Sequence, residues 1–117
     1  MAYFRILFAS VCIFTLLDLG LAVSVSVKRS NMNNELAESA KSIVKAAYNN
    51  YYDTLELKVK YVAHQMNGIY DKCKWNIVAN ADEYEISSDY WILVSATHRL
   101  IISNDFLIFS AQCDGKY

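Results

Sequence analysis

The sequence predicts an α+β domain: a short N-terminal strand, then two helices packed on an antiparallel sheet of about four to five strands. Three observations carry this reading. The last third, residues 75–113, crowds Ile, Val, Leu, Phe, Tyr and Trp into short runs without Pro or Gly, the composition of a pleated, half-buried surface. Two earlier stretches repeat their apolar residues at helical spacing instead. The strands of the last third have no helix between them, so they pair as antiparallel neighbours, and two helical stripes can cover one face of that sheet.

Residues 1–22 read as an address and residues 23–117 as the domain. Arg5 gives a short positive start, residues 6–17 are almost unbroken apolar chain, and Gly20-Leu21-Ala22 places small residues at a cleavage point, the pattern of a secretory signal peptide. Cleavage falls after Ala22, with Ala22-Val23-Ser24 as a second possible cut. An uncleaved signal anchor is the alternative. The apolar run is shorter than the ~20 residues of a membrane span, and Asp18 interrupts its extension. The expected destination is secretion, with no membrane segment in the mature form. Once Cys12 has left with the leader, Cys73 and Cys113 are an even pair in an oxidising route, which suggests one disulfide.

The mature elements follow in order. Val23-Ser24-Val25-Ser26-Val27 alternates apolar and polar, as a half-exposed strand does. The polar stretch after it ends in Asn residues that can cap a helix. In the first helix Leu36, Ala40, Ile43, Val44, Ala47, Tyr48 and Tyr51 form one apolar stripe. Glu35 and Glu38 lie near its start and Lys41 and Lys45 further on, as the macrodipole prefers; Asn49-Asn50 weakens its end. Asp53-x-x-Glu56 has the form of a capping box for a second helix. There Leu55, Val59, Val62, Met66 and Ile69 repeat, and Gly68 marks a point where the helix stops or frays. A sheet starts at Trp75. Near its end RLIIS and FLIFS flank Asn104-Asp105, which predicts a hairpin turning there.

At this point the residues resemble a known family. The mature chain is similar to the dynein light chains of the eight-kilodalton type. SVKRSNMNNEL resembles that family's first strand and the entry to its first helix. Trp75-Asn76-Ile77-Val78 resembles its Trp-His-Cys-Ile-Val strand, one residue short, and RLIIS-ND-FLIFS resembles its closing hairpin. The resemblance implies a homodimer made by lending a strand to the partner, capture of extended peptide segments, and membership of a dynein complex, cytoplasmic if the leader is not used. It also implies that the Trp75 strand runs antiparallel to the last one, which brings Cys73 and Cys113 to the same edge for a disulfide. The chain departs from the family where Phe-Gly-Ser-Tyr-Val-Thr-His would line the peptide groove. Here stand Asp82-Glu83-Tyr84-Glu85-Ile86-Ser87 or, after a longer loop, Asp89-Tyr90-Trp91-Ile92-Leu93. The family's His after the Trp is Asn76.

The candidate binding residues are therefore Tyr84, Ile86, Tyr90 and Trp91. Aromatics along an exposed strand edge suit β-augmentation, in which backbone hydrogen bonds give affinity and alternate side chains give specificity; dimer core or sheet face is their other reading. Asp82, Glu83, Glu85 and Asp89 read as a solvated acidic edge that discourages sheet-to-sheet aggregation, with a weak cation site as the chemical alternative. His64 and His98 read as surface or packing residues. No GxSxG, HExxH, P-loop or GxGxxG pattern is present, and two thiols without CxxC spacing give no zinc site. The chain is thus expected to be non-enzymatic, without metal or cofactor. A net charge of −1 implies neither a nucleic-acid partner nor an anionic membrane surface.

Overall fold

A computed structural model describes residues 23–50, 54–81, 86–99 and 101–117. They run as strand β1 (Val23–Ser30), helix α1 (Asn34–Asn50), helix α2 (Leu55–Ile69), and strands β2 (Cys73–Ala79), β3 (Trp91–His98) and β4 (Ile102–Cys113). The four strands form one antiparallel sheet in the order β1-β3-β4-β2, with both helices packed on it. The expected α+β architecture is what these residues build. The leader, Tyr51, Asp53 and Tyr84 lie outside the described residues.

The α1 stripe becomes the buried face of that helix. Leu36, Ala40, Ile43, Val44, Ala47 and Tyr48 are buried, and Asn33 caps the helix by accepting from the Leu36 amide at 2.8 Å. From α2, Val62 and Met66 enter the same core, and Trp75, Ile92, Val94, Ala96, Phe106 and Ile108 meet them from the sheet. Burying each Val, Ile or Phe of this set contributes roughly 1.5–3 kcal/mol. In β3 and β4 the core residues fall at every second position, so Trp91, Leu93, Leu107 and Phe109 point to the face away from the helices. Cys73 and Cys113 are register partners at the end of the β2–β4 ladder and are joined by a disulfide.

Three local expectations are corrected. The closing hairpin does not turn at Asn104-Asp105. It turns between His98 and Ile102, which are register partners, and β4 runs straight through the two residues. Their side chains have tertiary partners instead of a turn: Asn104 donates to the Tyr48 hydroxyl at 3.0 Å, and Asp105 pairs with Lys28 at 3.0 Å. The real turn uses Arg99 at φ 56°, and Ile101, read as strand interior, sits there 84% exposed. The second correction concerns the α2 cap, which is Thr54; its side chain accepts from the Leu57 amide. The third concerns Gly68, which does not end α2. The helix continues to Ile69, and a Cβ at Gly68 would meet nothing within 4 Å.

Candidate functional site

Among the described residues two strands, β1 and β2, each have a single neighbour and so form the outer edges of the sheet. β3 lies between β1 and β4. This corrects the expectation of an open edge near residues 82–93 where it falls on Trp91, Ile92 and Leu93, because Asn31 and the β1 ladder occupy that side; residues 82–85 lie outside the described residues. Any strand added to this sheet joins at β1 or at β2.

Along β2 the backbone itself states which groups are open. Asn80 N–H donates to the Asp105 carbonyl at 2.8 Å. Because antiparallel residues alternate between pairing with the neighbour and facing away from it, Asn76 and Val78 also pair with β4. Trp75, Ile77 and Ala79 then direct N–H and C=O outward. At Trp75 these groups are taken by a side chain: Asn67 of α2 accepts from Trp75 N–H at 2.8 Å and donates to Trp75 C=O at 3.2 Å. A second hydrogen bond from the same amide, to the Ala63 carbonyl at 2.8 Å, fixes its orientation. Among the described residues nothing pairs with the outward groups of Ile77 and Ala79. Beside them on the face away from the helices lie Val78, 40% exposed, the half-buried Phe109 of β4 and Trp91 of β3, and the buried Leu107 and Leu93.

The edge at β1 is built differently. Val27 pairs with Val94 and Arg29 with Leu93, so Lys28 is an extra residue that bulges the strand. Its ammonium reaches Asp105, and the Arg29 guanidinium lies 5.7 Å from the centre of the Trp91 ring. A bulge and two cations are devices that keep a second strand off an edge.

The candidate residues from the sequence are not gathered in one place. Tyr90 turns into the core, its ring beside those of Trp75 and Tyr117, and its hydroxyl accepts from the Tyr117 amide at 2.8 Å. Trp91 opens β3 on the opposite face, with its amide donating to Asn31. Ile86 is half-buried chain outside the strands. Of the acidic cluster only Asp89 is described, and no group of three or more His, Cys, Asp and Glu is placed to hold a metal among the described residues. His64 is exposed on α2, and His98 closes β3 against the Tyr48 ring. No described helix is long and apolar enough to cross a membrane.

The far end of β2 is tied to α1 through a short polar chain. Asn80 donates to Asn104, and Asn104 donates to Tyr48. Burial pushes the Tyr48 hydroxyl above its ordinary value of 10.0, partly offset by the Asn104 hydrogen bond. The Lys58 ammonium sits 4.8 Å from the centre of the same ring. Nothing in the sequence singles out Asn67 or Asn80. An Asn before Gly68 reads as a helix end, and nothing local shows that its amide serves a strand eight residues on.

No family model matches this chain, and no curated protein is similar to it.

Proposed function

We propose that the chain is a secreted, non-enzymatic protein-interaction module similar to a dynein light chain, acting as a homodimer that takes up an extended segment along a sheet edge. The observation that carries this reading is β2: a regular strand end without charge from Trp75 to Ala79, whose outward groups at Ile77 and Ala79 lack a partner among the described residues. An open ladder supplies backbone affinity to an incoming segment, and the exposed Val78 beside it supplies apolar contact. Secretion is supported by the leader pattern of residues 1–22 and by the disulfide.

Ala79→Pro tests the edge. It removes an amide that points away from β4, so the ladder keeps its bonds. The expected result on a peptide array is at least about a tenfold loss of the wild-type protein's binding, equivalent to about 1.4 kcal/mol, with the melting temperature held. Binding unchanged in the variant excludes β2 as the site. Absence of any bound peptide with wild type favours a second reading, a structural or effector protein that kept the dimeric fold without a peptide groove. That reading draws on Tyr90, which is used inside the core.

A further inference from the structure

We infer that Asn67 sets the register in which β2 pairs with β2 of a second copy, with Val78 on the two-fold axis. This rests on the dimeric reading proposed above and names the contact that makes the dimer; the second copy and an extended peptide take the same outward groups of Ile77 and Ala79, so each displaces the other. In a two-fold contact the same patch meets itself, residue i against residue j, so a patch whose charges share one sign repels its copy. The residues Trp75-Asn76-Ile77-Val78-Ala79 carry no charge, whereas the other edge carries Lys28 and Arg29. β2 is the edge that can face its own copy.

Three two-fold antiparallel registers use the open groups, and the one with Ala79 on the axis sets Ile77 against Ala81, which lies past the strand end at Ala79 and the left-handed Asn80 at φ 54°. With Val78 on the axis, Ile77 pairs with Ala79 of the second copy and Ala79 with Ile77, and the outward N–H and C=O of both residues are all satisfied. With Ile77 on the axis, Ala79 must pair with Trp75, and the Trp75 groups are already held by Asn67 at 2.8 and 3.2 Å. That register leaves Ala79 backbone groups without partners, a desolvation cost wherever the contact excludes water. Asn67 therefore acts as a stand-in strand that closes the register centred on Ile77 and leaves the one centred on Val78. Asn80, at φ 54° and bonded back to Asp105 and Asn104, ends the strand on the other side. The pairing is confined to the few residues between these two stops.

Cross-linking of the full mature protein tests this. In the inferred register the Val78 residues of two copies form a non-hydrogen-bonded pair, whose Cα atoms lie about 4.5 Å apart, within reach of a disulfide. Val78→Cys is expected to give a covalent dimer on a non-reducing gel, with mass spectrometry locating the new bond between the two introduced thiols and the native Cys73–Cys113 bond retained. Ile77→Cys is expected to cross-link at least about fivefold less, and adding Asn67→Ala to it is expected to remove that difference. Hydrogen exchange gives a second readout. Ile77 and Ala79 amides gain protection as protein concentration rises, whereas the Trp75 amide is protected at every concentration until Asn67 is replaced. A dimer by light scattering without the Val78→Cys cross-link overturns the inference and leaves the dimeric reading standing. A monomer at every concentration overturns both. Should Asn67→Ala fail to fold, the Val78→Cys comparison in the wild-type background decides.

Discussion

The two outer strands of this sheet manage the same hazard in opposite ways. β1 is interrupted in its middle: Lys28 is the extra residue between Val27 and Arg29, and its ammonium is drawn to Asp105. β2 is regular in its middle and fastened at its ends. The Cys73–Cys113 bond holds one end, and the chain from Asn80 through Asn104 to Tyr48 holds the other. A bulged, cationic edge repels a further strand. A fastened, uncharged edge presents its backbone already ordered, which lowers the entropy that pairing must overcome. The difference teaches that an open edge is identified by what secures it as much as by what it lacks.

The largest expected effect comes from releasing the fastened end. The Cys73→Ser, Cys113→Ser double variant opens a loop with a sequence separation of 40, and the chain-entropy model gives a loss of about 4 kcal/mol. Denaturant unfolding of the variant against the oxidised protein measures it. A loss below about 1 kcal/mol would show that the β2–β4 ladder alone holds that end, and the contrast with β1 would then rest on the bulge alone.

A smaller effect on stability, but a larger one on association, is expected at β1. Deleting Lys28 makes Val27 and Arg29 consecutive against Val94 and Leu93, which restores a regular ladder without turning any side chain to the other face. The Lys28–Asp105 pair is partly exposed, so its loss costs under about 1 kcal/mol. Light scattering should then show species larger than those of the wild type, because both edges of the sheet have become regular. An unchanged mass would mean that Lys28 does not guard the edge.

The parts of this molecule legible in its sequence are those whose signals are local. The α1 stripe predicts the buried residues of that helix from Leu36 to Tyr48 because spacing alone decides the face. The Cys73–Cys113 pairing is suggested by their being the two cysteines left after the leader, and the resemblance implies the antiparallel course that brings them to one edge. The hairpin is misplaced in the sequence reading because Asn104 and Asp105 carry turn chemistry yet spend it on Tyr48, Asn80 and Lys28, all distant in sequence. The actual turn rests on Arg99 in a left-handed conformation that Arg seldom adopts. Which strand ends outermost is a matter of topology, so Trp91 reads as an edge residue in the sequence although β1 lies beside it. Asn67 is the extreme case, since its role exists only where α2 meets β2.

The smallest expected effect concerns the other fastening of β2 and has a definite sign. Burial holds the Tyr48 hydroxyl above 10.0, so the folded protein keeps a proton that the unfolded chain gives up in alkali. Below the ordinary tyrosine range both states are neutral there and Tyr48 adds no pH dependence. As pH rises past 10.0 the unfolded state ionises first, and stability falls with pH. Asn104 and the ammonium of Lys58 face the ring, with His98 beside it. Tyr48→Phe removes this alkaline loss, together with the acceptor of the Asn104 hydrogen bond, which costs about 1 kcal/mol at neutral pH. The expected outcome is two unfolding curves that differ at about pH 7 and converge above about pH 10. Faster exchange of the Asn80 amide in the variant, with the Trp75 amide unmoved, would locate the loosening at the Asn80 end of β2. Equal exchange at both would mean that the disulfide fastens the whole strand and that the Asn80 end needs no tie of its own.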